Sequence, residues 1–127
     1  METTLTPSME DYLRTVHALE IEKGSVRVKD IAVRMGISMP SVSAAMKNLI
    51  SRDLVCHQRY DLVKLTAQGL VLAEKLESRF IIIRDFLSEV LSVEQNTADK
   101  DTCQIEHLIS KETVGRMQEF LASHRKN

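Results

Sequence analysis

Cys103, Glu106 and His107 place a thiol, a carboxylate and an imidazole within five positions of the stretch "CQIEHLIS". On a helix, at about 100° per residue, these side chains fall within an arc of roughly 100° and point to one place. Thiolate, carboxylate and neutral imidazole all bind divalent transition metals, so one reading of the cluster is that this place holds a metal. Such a site would depend on pH, because Cys103 and His107 must lose protons to bind. The bland alternative is an accidental grouping, since a single Cys is usually a small buried residue and a single Glu a solvated charge. A third reading is a Cys103–His107 nucleophile pair. Neighbouring turns of one helix rarely align thiol and imidazole, and no oxyanion hole or glycine-rich loop accompanies them. An enzyme is therefore not expected.

The elements that must carry this cluster follow from periodicity and caps. A first helix spans 8–23, started by Pro7 and Ser8 and stopped by Gly24, with Met9, Leu13, Val16 and Leu19 or Ala18 inward. Val28–Met35 makes a short second helix that buries Ile31, Ala32 and Met35. "MGIS" is a turn around Gly36. Ser38 caps a third helix over 39–52, with Pro40 in its first turn and Val42, Ala45 or Met46, Leu49 and Ile50 inward. The β-prone runs 54–57 and 62–65, with Tyr60 and Asp61 between them, predict a hairpin. Thr66 then caps a long helix reaching about Leu91, followed by a loop and the start of another helix over 93–101. Ser110 caps the last helix.

The long helix is apolar on more than one face. Leu72, Leu76, Phe80, Ile83, Leu87 and Val90 form one stripe, while Ile81, Ile82 and Phe86 lie outside it. A chain of 127 residues has little else to cover that surface, so a homodimer through Phe80, Ile81, Ile82 and Phe86 is expected.

Helix, helix, glycine turn, helix and hairpin is the order of a winged helix-turn-helix. Net charge is −3 over residues 1–25, +4 over 26–69 and −2 over 70–127, so the positive charge sits in this block. Ser41 and Ser43 leave room for close approach to a groove, and the cap Ser38 is counted with them among the DNA-binding residues. Met39 and Pro40 offer apolar surface, and Lys47, Arg52, Arg59 and Lys64 can neutralise phosphates. Tyr60 marks the tip of the wing. The fold class is mainly α, with a winged helix-turn-helix domain at 1–69 and a helical dimerisation and metal-binding domain at 70–127. Apolar residues make up 43% and aromatic ones 4%, which implies an aliphatic core. No window resembles a membrane span or a signal peptide. Without export signals, Cys56 and Cys103 are expected to be reduced and the protein cytoplasmic. His17, His57 and His124 are assigned no site role.

"SMEDYLRTVHALE", "RVKDIAVRMGISMPSVSAAMKNLISRDLV", "KLTAQG" and "IEHLIS" together resemble the diphtheria toxin repressor/MntR family of metal-responsive transcriptional regulators. The resemblance covers nearly the whole chain and looks like the short form without an SH3-like third domain. It implies a dimeric repressor of metal-homeostasis genes that binds a palindromic double-stranded DNA operator, with no membrane or organic cofactor involved. It also implies one Fe(II) or Mn(II) per chain. Asp11 matches a ligand that is Asp in the manganese branch, and Cys103 one that is Cys in the iron branch; Glu106 and His107 match ligands of both. Phe80 stands where the family usually has a ligating His, Arg14 where the manganese branch has Glu, and Arg84 where the iron branch has an ancillary Glu. A second metal is therefore doubtful. The implied mechanism is linkage, metal favouring the conformation whose two reading helices match successive major grooves roughly 34 Å apart. Without the resemblance, Asp11 would be read with Ser8 as a capping box. The alternative function is a metal-independent winged-helix regulator with a degenerate site, in which Arg14 takes the cation's place.

Overall fold

A computed structural model describes residues 5–127. The chain forms α1 (Pro7–Lys23), β1 (Val26–Arg27), α2 (Val28–Met35), α3 (Met39–Ser51), β2 (Val55–His57), β3 (Leu62–Leu65) and α4 (Ala67–Asp85). A π-helical turn (Phe86–Val90), α5 (Gln95–Ile105) and α6 (Lys111–Lys126) follow. The chain divides into two compact units between Leu76 and Glu77, inside α4. No described helix is long and apolar enough to cross a membrane.

In the first unit α1 begins one residue earlier than expected. Its N-cap is Thr6, whose hydroxyl accepts the Met9 N–H at 3.2 Å, so the Ser8–Asp11 capping box does not form. Pro7 lacks an N–H and costs nothing in the first turn. Leu13, Val16 and Leu19 of α1, Val28, Ile31 and Ala32 of α2, and Val42, Ala45, Met46 and Leu49 of α3 share one buried core with Val55, Val63 and Leu65 of the sheet. Ile50, expected to face inward, is 37% exposed because Leu49 takes the inward position at the end of α3. Gly36 ends α2 at φ 68°, the left-handed conformation that glycine adopts without strain.

The sheet has the order β1-β3-β2, both pairs antiparallel. β2 and β3 are the expected hairpin, while β1 was not foreseen. Two residues at the mouth of α2 carry no alternation to read, and only their pairing, Val26 with Val63 and Arg27 with Leu62, makes them a strand. Thr66 caps α4 as expected, accepting the Gly69 N–H at 3.0 Å and donating to the Asp53 carbonyl at 2.7 Å. Gly69 is buried against the Leu54 backbone, and a Cβ there would lie 1.9 Å from the Leu54 carbonyl oxygen.

The second unit departs further from the expected pattern. The regular helix ends at Asp85, and five residues continue as a π turn, with Leu91 donating to the Phe86 carbonyl at 3.3 Å. Residues 95–101, expected as loop and helix start, already belong to α5, because Glu94 caps it through the Thr97 N–H at 3.1 Å. Ile83, Ala98, Thr102, Val114 and Leu121 are buried in this unit. α6 packs on the π turn. Phe120 meets Phe86 edge-on at 6.0 Å, and Arg125 donates from Nε and Nη2 to both oxygens of Glu89 at 2.8 and 2.7 Å. Its Nη2 also reaches Asp85 at 2.9 Å.

Candidate functional site

The first unit presents α3 and the hairpin on its surface. Ser38 accepts the Ser41 N–H at 3.3 Å and donates its own proton to Ser41 Oγ at 2.9 Å, so both hydroxyls sit fixed at the N-terminus of α3. Met39 is 49% exposed, and Pro40, Ser41 and Lys47 are exposed with it, while Ser43 is half-buried. A helix N-terminus offers unsatisfied N–H groups and a partial positive charge, which suits phosphate. Ala44 and Asn48 share the exposed stripe with Ser41 at helical spacing. Neither stands out by residue type in the sequence, although counting three residues on from Ser41 and four from Ala44 finds both. Arg52 is half-buried and its Nε donates to the Asn48 side chain at 2.7 Å, which orients the guanidinium and withdraws one of its donors. Ser43, Lys47, Ile50, His57 and Asp61 line a shallow groove between α3 and the hairpin.

At the hairpin tip Tyr60 (φ 63°) and Asp61 (φ 59°) both take left-handed backbone. This is the pattern of a type I′ turn, here without glycine. The Leu62 N–H closes it on the Arg59 carbonyl at 3.2 Å, and the Asp61 carbonyl accepts the Val28 N–H at 3.4 Å. Tyr60 is 80% exposed, and Arg59 is exposed beside it. The tip is thus a tied-down projection, and its basic and aromatic side chains suit a phosphate backbone.

Cys103 and Glu106 lie three apart at the end of α5. The helix stops at Ile105, so Glu106 is its C-cap (φ −58°, ψ −31°) and His107 lies on the turn beyond. Glu106 is 0% exposed, His107 half-buried and Cys103 exposed, so the three side chains expected on one face differ sharply in burial. A fully buried carboxylate requires a cation, a proton or donors opposite it. It stands here at the C-terminus of a helix, where the carbonyl ends attract positive charge. Carboxylate, imidazole and helix C-terminus together fit a divalent cation. Asp11, in the other unit, is half-buried on α1. Arg84 donates from Nε and Nη2 to Asp85 at 3.2 and 3.1 Å. Of the expected dimer residues, Phe80 is 9% exposed within its own chain, Ile81 is at the surface, and Ile82 and Phe86 are partly buried.

Comparison with known proteins also yields two parts, which meet between residues 63 and 66, ahead of α4, rather than inside it. Residues 4–63 match the family described as "Iron dependent repressor, N-terminal DNA binding domain". Residues 66–127 match "Iron dependent repressor, metal binding and dimerisation domain". A curated relative, the HTH-type transcriptional regulator MntR of Shouchella clausii (strain KSM-K16), is 34% identical over 122 residues, covering 96% of this chain and 85% of that protein. The solved structure of the manganese regulator SloR superposes with a TM-score of 0.80 at 31% identity, over 93% of this chain and 55% of that one. The metal-dependent transcriptional regulator MtsR shares the fold at a TM-score of 0.85 and 24% identity, over 93% of this chain and 55% of that one. The chain thus spans about half the length of these solved relatives.

Proposed function

From the premise that this chain belongs to the iron-dependent repressor family, and so to metal-dependent DNA-binding transcriptional repressors rather than enzymes, we propose that it is a cytoplasmic, Fe(II)- or Mn(II)-responsive repressor. We place its metal ligands at Asp11, Cys103, Glu106 and His107. One divalent ion per chain acts by linkage: bound, it supplies positive charge that carboxylates of separate elements share. The observation that carries this reading is the buried Glu106 at the C-terminus of α5, with His107 beside it. Cys103 is the most exposed of the four, so Glu106 and His107 supply the larger share of the binding. Arg84, held on Asp85, supports a single metal, because the family's ancillary carboxylate is here a paired cation.

On the DNA side, Ser38, Met39, Pro40, Ser41, Ser43 and Lys47 face the major groove in this proposal. Arg52, Arg59 and Tyr60 hold the backbone of a palindromic operator, with two copies joined around Ile81, Ile82 and Phe86. Phe80 supports that interface from within the chain. A gel-shift titration tests the whole. Chelation should abolish binding to a specific operator, and Mn(II) or Fe(II) should restore it with one equivalent per chain by elemental analysis. Equal shifts with and without chelator would overturn the metal reading and leave a metal-independent regulator.

A further inference from the structure

Glu20 lies in the last turn of α1, and neither DNA reading nor metal binding assigns it a role. Its backbone carbonyl accepts the Gly24 N–H at 2.9 Å and closes α1. Its half-buried carboxylate accepts the Leu65 N–H at 2.9 Å, across 45 residues of sequence. The need for that acceptor follows from the sheet. Along β3 alternate amides face opposite neighbours. The Thr66 N–H donates to the Leu54 carbonyl at 3.0 Å, on the β2 side, so the Leu65 N–H faces the β1 side. There β1 starts only at Val26, opposite Val63, because the chain has just left α1 at Gly24. On that side no strand residue stands opposite Leu65, whose partner Val55 lies on β2. A half-buried amide without an acceptor is costly, and a charged acceptor makes a stronger hydrogen bond than a neutral one.

We propose that Glu20 substitutes for the missing residue of β1 and is a positioning residue for the wing. It fastens β3, the strand that leaves the wing tip, to the helix that also carries Asp11. A displacement of α1 would then reach Arg59 and Tyr60 through this hydrogen bond as well as through the core that α1 shares with Val63 and Leu65. The proposal rests on the reading that the wing tip touches DNA.

Amide exchange of the full chain, followed by NMR, reads the contact without DNA. In Glu20→Ala the Leu65 amide should exchange about tenfold faster or more, while Glu20→Gln, which keeps an acceptor oxygen, should restore protection. Operator affinity should fall severalfold in Glu20→Ala and recover in Glu20→Gln. In an Arg59→Ala/Tyr60→Ala background, Glu20→Ala should cost nothing further. Unchanged Leu65 exchange in Glu20→Ala would overturn the proposal, as would a full additional loss in the wing variant. If the wing variant alone keeps wild-type affinity, the wing-contact reading fails and the proposal with it. That outcome is distinguishable, because the exchange result would still stand.

Discussion

Glu106 carries the heaviest local demand of any side chain described. A carboxylate with no exposure is tolerated only where positive charge or donors meet it, and the end of α5 already favours a cation. Glu106→Gln keeps the shape and removes the charge. Metal affinity should fall by more than about 100-fold, beyond the loss typical of outer-shell partners, as read by titration with Mn(II). Cys103→Ser should fall less, in keeping with its exposure. Asp30 offers a second test at this scale. Its carboxylate accepts the Arg27 N–H at 2.9 Å and meets Lys23 at 3.1 Å, and these hold its carboxyl below the ordinary range, the backbone bond first. A depressed acid contributes stability above its unfolded value, about 3.9, and loses it as pH falls through the folded value. Glu22 and Glu89, lowered chiefly by Arg34 and Arg125, act with the same sign. Thermal melts taken from pH 5 downward should therefore fall, and Asp30→Asn should make the fall shallower. The residue types of Cys103, Glu106 and His107 were legible from spacing alone. Their unequal burial was not, because it depends on where α5 stops.

At the scale of elements, helices with a clear cap and one apolar stripe were read to within a residue or so. α3, capped by Ser38, and α2, closed by Gly36, have both signals, and the start of α4 has its cap, Thr66. The misses have common causes. β1 is a strand only through its partner. The π turn packs Phe86 against Phe120, 34 residues on, a contact that no local pattern in the sequence displays. α5 starts with polar residues whose cap, Glu94, competes poorly with Ser or Asp in a propensity reading. Two substitutions test what was found. Gly69→Ala drives a methyl into the Leu54 carbonyl and should cost about 3 kcal/mol by denaturant unfolding. Asp61→Gly relieves a left-handed non-glycine residue at the wing tip. It should raise stability by roughly 0.5–1 kcal/mol, partly offset by the greater freedom of glycine in the unfolded chain.

For the whole molecule, the separation of charge in the sequence agrees with a division of labour between two family domains. The positive block, 26–69, lies almost entirely in the part that matches the DNA-binding domain, which also holds most of the −3 segment, so the positive charge marks the helix-turn-helix and wing within it; the −2 segment lies in the part that matches metal binding and dimerisation. Dimerisation was inferred from an apolar surface too broad for one chain to cover. Ile81 and Ile82 remain at least partly exposed on that surface, whereas Phe80 is already covered. Ile81→Glu with Ile82→Glu should shift sedimentation toward the monomer and weaken operator binding, leaving the helical content by circular dichroism unchanged. Retained dimers would move the interface elsewhere.

The π turn at 86–90 has a further consequence. It behaves as one extra residue carried in the last turn of the long helix. Removing one residue there should let the segment relax to ordinary pitch and swing the Glu89 carboxylate by about 100°, away from the guanidinium at position 125. A deletion in a helix normally disturbs everything downstream. Here the loss of the Glu89 contact should loosen the last helix, detectable as faster proteolytic cleavage within the carboxy-terminal segment.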